Sequence, residues 1–88
     1  MAQYKNLSAT NQVKIGAGKV YGIFVNSTSS GTLVVYDSAS ANTGDPKIAN
    51  TITPSAGAAL LVTTPGIWFS NGLYIVAGNT IDFTVVYE

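Results

Sequence analysis

At 88 residues and 9.1 kDa the chain has room for one domain with a thin core. A folded monomer of this mass shows roughly 4,900 Å² of surface, against about 13,200 Å² for its extended chain. Only 9% of the residues are charged, four Lys against four acids, with no Arg, His or Cys and zero formal net charge. That excludes a disulfide scaffold, a zinc finger, a Cys or His nucleophile system and a basic nucleic-acid binder. A hydrophobic content of 47% also excludes a disordered chain.

Met1-Ala-Gln-Tyr-Lys-Asn6 lacks the apolar core of a signal peptide. The segment 1–12 has no strand pattern of its own, and Tyr4 and Leu7 are its apolar anchors. It reads as an amino-terminal arm, either frayed or docked on a neighbour, that precedes a single domain over 13–88. Strand patterns then cover nearly everything. Val13–Ile15 and Lys19–Val25 flank Gly16-Ala-Gly18, which predicts a tight hairpin. Ser27-Thr-Ser-Ser-Gly31 predicts a turn into a strand over Thr32–Asp37. Ser38 to Pro46 reads as an exposed loop, because its Ala, Ser, Asn and Gly content favours turns and Pro46 disfavours helix before it.

Lys47–Thr53 and Ala58–Thr63 are further strands, ended by Pro54 and by Pro65-Gly66. Ile67–Phe69 and Leu73–Val76 flank Ser70-Asn-Gly72, and Asn-Gly predicts a hairpin. Ala77-Gly-Asn79 predicts one more turn, into a last strand that alternates cleanly. Ile81, Phe83, Val85 and Tyr87 point one way, Asp82, Thr84, Val86 and Glu88 the other. The expected fold is all-β: a small antiparallel β-sandwich or jelly-roll-like barrel of seven to eight short strands.

Two features predict association. Eight charges amount to about one per 600 Å² of folded surface, weak protection against self-association. Val20–Val25 and Leu33–Tyr36 also carry bulky apolar groups on both faces, whereas a sandwich needs only one buried face. Tyr4, Leu7, Tyr21, Ile23, Tyr36 and Trp68 are therefore the candidate partner or subunit interface.

Chemistry is poorly served by this composition. Gly16-Ala-Gly18-Lys-Val-Tyr-Gly22 has the wrong spacing for a phosphate loop and leads into a strand. The stretch Asp37–Asp45 places Ala39 and Ala41 where a calcium loop needs oxygen ligands. Hydroxyl nucleophiles lack a His base, so neither an enzyme activity nor a cofactor or metal is expected. Trp68, Tyr74, Tyr21 and Tyr36 supply the rings for a sugar-stacking platform, which keeps a glycan-binding module as an alternative.

The stretch Phe69-Ser-Asn-Gly-Leu-Tyr-Ile-Val-Ala-Gly-Asn-Thr-Ile-Asp-Phe-Thr-Val-Val-Tyr87 resembles the ending shared by small all-β structural proteins of tailed bacteriophages. Val20–Val25, the Ser-rich stretch after it and Gly31-Thr-Leu-Val-Val-Tyr-Asp37 are similar too, so the likeness spans most of 13–87. It implies a non-enzymatic virion structural protein, foremost a capsid decoration (cement) protein that oligomerises, with a trimer favoured, and stabilises the head shell. The implied partners are the major capsid protein or other virion proteins, with no nucleic acid and no membrane. The implied location is the capsid surface, after assembly in the host cytoplasm. A tail or head-fibre component is the alternative within the virion.

Overall fold

The computed structural model describes residues 2–62 and 65–88, and over these the chain is all-β and antiparallel, with no helix. Seven strands follow in order: β1 (Gln3–Leu7), β2 (Asn11–Ile15), β3 (Gly18–Tyr36), β4 (Lys47–Ile52), β5 (Ala59–Leu60), β6 (Ile67–Phe69) and β7 (Gly72–Tyr87). Thr63, the last residue of the strand expected over Ala58–Thr63, lies outside the described residues.

The strands are not uniformly short. β3 has 19 residues and β7 has 16, and they pair from Val20↔Tyr87 to Tyr36↔Tyr74 as one long ribbon. Nineteen residues fully extended would span about 60 Å, yet the longest dimension of the molecule is 31 Å. The ribbon therefore bends, and its bend divides one sheet into two layers. In the first layer the carboxyl-terminal half of β7 lies between β1 and the start of β3, which is edged by β5 and β6. In the second, the start of β7 lies between β2 and the end of β3, which is edged by β4. Val20, Ile23, Val25, Ile81, Phe83 and Val85 of the first layer and Leu33, Val35, Leu73 and Ile75 of the second form one buried cluster.

The two expected turns of the ribbon are its bend. Ser27–Ser30 lie opposite Asp82–Thr80, and Ala77 and Gly78 lie opposite Leu33 and Thr32, so both stretches stay within the paired ribbon and do not reverse the chain. Each strand keeps a pairing partner through this region, so the turn chemistry is used for a bulge, with Ser29 and Ser30 both opposite Thr80. Close packing of the facing strand explains the glycines here. A Cβ on Gly31 would sit 2.6 Å from the Ile81 Cβ, and one on Gly78 would run into the Thr32 hydroxyl.

Neither expected hairpin forms. β2 pairs with β7 and β6 pairs with β3, so Gly16–Gly18 and Ser70–Gly72 carry the chain between layers. Asp37 holds the second crossing: its carboxylate accepts backbone N–H bonds from Ser70 (3.0 Å), Asn71 (2.8 Å) and Gly72 (3.2 Å). Burial opposes its charged form, but these three bonds outweigh burial and hold its pKa below the ordinary aspartate value. Gln12 ties the loop after Asp37 to the sheet. Its amide donates to the Ser38 carbonyl at 2.6 Å, and its oxygen accepts from the Ala41 N–H at 2.9 Å.

The segment expected as an arm is largely strand. Gln3–Leu7 pairs with Tyr87–Phe83, the chain's own last strand, and Asn11 begins β2. Sequence pattern missed β1 because four of its five residues stay exposed, so no apolar alternation marks it. The Thr10 hydroxyl bridges the gap between β1 and β2, accepting from the Ala77 N–H at 3.0 Å.

Candidate docking face

The outward face of the first layer is set by the end of the chain, where Asp82, Thr84 and Val86 of β7 and Glu88 just after it alternate with the buried Ile81, Phe83, Val85 and Tyr87. Register then names the neighbours on that face. Tyr4 and Gly22 flank Val86, Asn6 and Phe24 flank Thr84, and Lys19 exchanges backbone bonds with Glu88 at 3.2 and 2.8 Å. Trp68 lies beyond Lys19 on β6, with the ammonium 4.4 Å from its ring centroid. A Cβ built on Gly22 would lie 3.3 Å from Val62 and 3.7 Å from Phe24, so these two side chains converge over the glycine.

Five large apolar side chains stand exposed among the described residues, and four of them share this face. They are Tyr4 (73% exposed), Phe24 (43%), Val62 (59%) and Trp68 (67%), and the fifth, Ile15, ends β2 in the other layer. Solitary exposed apolar residues are ordinary, but a set gathered on one sheet face is a mark of contact with another macromolecule.

Polar groups close the two ends of the face. At one end the Tyr21 hydroxyl donates to the Glu88 carboxylate at 2.8 Å, which lowers the Glu88 pKa and raises that of Tyr21. At the other, the amides of Asn26 (3.0 Å) and Asn6 (2.8 Å) both donate to one oxygen of Asp82, and they lower its pKa. The Thr84 hydroxyl accepts from the same two amides, so one polar row crosses β1, β7 and β3.

The six interface candidates divide. Tyr4 and Trp68 are exposed on this face, Tyr21 is half-buried on it, and Leu7 packs half-buried against the core. Ile23 is a correction: it is fully buried in the core. Val20 opposes Tyr87 and Gly22 opposes Val86, so Tyr21 is an extra residue that brings Val20 and Ile23 to the same inner face. Tyr36 is also corrected. It is buried against Tyr74, ring centroids 5.8 Å apart, in the other layer. Tyr36 and Tyr74 thus lie in one layer and Trp68 and Tyr21 in the other, so the four rings make no common platform.

Phe24, Val62 and Val86 are the members that sequence reasoning missed. The outward position of Val86 was legible in the alternation of the last strand. Phe24 required knowledge of the bulge, for which Gly22 inside a strand pattern is the available signal. No family model, curated protein or solved structure matches the chain.

Proposed function

We propose that the chain is a non-enzymatic structural protein of a tailed-phage virion, of the capsid decoration type. It acts by laying protein surface against protein surface. The observation that carries this reading is the clustering of Tyr4, Phe24, Val62 and Trp68 on one outer sheet face. Such a face gains hydrophobic free energy only when another surface covers it. The sparse charge supports the same reading, because a chain with four cations and four anions does little to repel copies or partners. The likeness of Phe69–Tyr87 to virion proteins supplies the setting. A protein that binds the finished shell and not its free subunits stabilises that shell by mass action.

The test is the copy number of this chain in purified particles, by quantitative mass spectrometry against the major capsid protein. A ratio equal to that of the shell subunits, or a simple fraction of it, is the expected result. A few copies per particle would assign the chain to the tail or a head fibre. Absence from particles would reject the virion reading.

A further inference from the structure

We infer that the outer face of the first layer is covered by the same face of a second copy, across a two-fold axis. This deepens the reading of that face as a docking surface and rests on it. Size is the first argument. Four strands spaced about 4.8 Å apart, followed from Asp82 to Glu88 over roughly 20 Å, make a plane of about 400 Å². With side-chain relief, two such planes in contact remove on the order of 1,000 Å² of accessible surface, the lower bound for a specific interface.

Charge is the second argument. Among the described residues, the ionised side chains on the face are Lys19 and Glu88 at one end and Asp82 at the other, with Tyr4, Val86, Phe24 and Val62 between. Glu88 is engaged by the Tyr21 hydroxyl and by the charge of Lys19, whose ammonium also stands over the exposed Trp68 ring. A two-fold axis that crosses the strands near the Val85 row turns each face end for end. The apolar centre then meets its own image, and Lys19 of each copy reaches the end that holds the partner's Asp82. A face that complements itself in this way closes at two copies, whereas a trimer would need two different matching patches.

Sedimentation velocity over micromolar concentrations, with thermal melting as the folding control, tests the arrangement. The wild type is expected to sediment as a dimer. Phe24→Glu and Trp68→Glu are expected to give monomers that melt cooperatively, as wild type diluted below its dissociation constant does, because the melting temperature of the dimer includes the contribution of association. Lys19→Asp and Asp82→Lys should each weaken the dimer by roughly tenfold, and the double exchange should restore it. A wild-type monomer throughout, or a dimer that Phe24→Glu and Trp68→Glu both leave intact, overturns the inference. Pelleting with purified particles separates this failure from failure of the docking face itself. If the protein is monomeric and Phe24→Glu abolishes attachment to particles, only the second copy is rejected. If it is monomeric and Phe24→Glu attaches normally, both readings are rejected.

Discussion

Ser30 and Asn79 meet at the bend of the ribbon, both at positive φ (55° and 58°), and the Asn79 amide donates to the Ser30 carbonyl at 2.8 Å. The left-handed region costs most side chains energy, but Asn tolerates it because its short amide bonds locally. The bend therefore depends on a residue type and on one cross-strand bond. Asn79→Ala should destabilise the fold by about 1–2 kcal/mol, through strain and the lost bond. Asn79→Gly should cost less, because glycine removes the strain. Urea denaturation midpoints at constant slope check both. Equal losses would mean that φ is not what Asn79 contributes.

Asp37 predicts an acid sensitivity. Its pKa is lower in the folded chain than in the unfolded one, so its stabilisation is fully present above the ordinary aspartate value. That stabilisation fades as pH falls below this value and is lost as pH passes through the depressed folded value. Asp37→Asn, which keeps the shape and removes the charge, should cost on the order of 1–2 kcal/mol at neutral pH after discounting for partial solvent exposure. The gap between variant and wild type should close in acid, as followed by melting temperature against pH. A gap that stayed constant would show that charge is not what holds Ser70–Gly72.

Ile23 and Trp68 entered as equal interface candidates and should part company on truncation. Ile23→Ala opens a cavity in the shared core and should cost about 2–5 kcal/mol. Trp68→Ala removes an exposed ring and a cation–π contact, so it should change monomer stability by less than about 1 kcal/mol. Chemical denaturation of dilute protein measures both without the contribution of association.

Removal of residues 2–7 should lower the melting temperature and promote aggregation. The deletion strips β1 from the edge of β7, uncovers the pairing groups of Phe83–Tyr87 and takes away the packing of Leu7. Light scattering during a melt reports both effects. A truncated chain as stable and as soluble as the whole would mean that β1 contributes nothing to the sheet that holds it.

By itself the sequence determined the strand content, the sparse charge and the inner face of the last strand, where Ile81, Phe83, Val85 and Tyr87 are buried as their spacing requires. These are local properties: alternation, β-branched side chains and composition carry them without reference to the rest of the chain. Tertiary structure decided what each turn-like stretch does. Ser27–Gly31 and Ala77–Asn79 bend a continuous ribbon because each strand finds its pairing partner on both sides of the bend. Ser70–Gly72 crosses between layers because the Asp37 carboxylate, 33 positions earlier than Ser70, collects its N–H groups. Turn residues permit a change of direction, but the partner that pairs beyond them determines whether the chain reverses, bends or crosses. The docking face was settled in the same way, by the extra residue at Tyr21 that turns Ile23 inward and leaves Phe24 outside. Pairing register is a property of two strands together, and a single strand's pattern does not contain it.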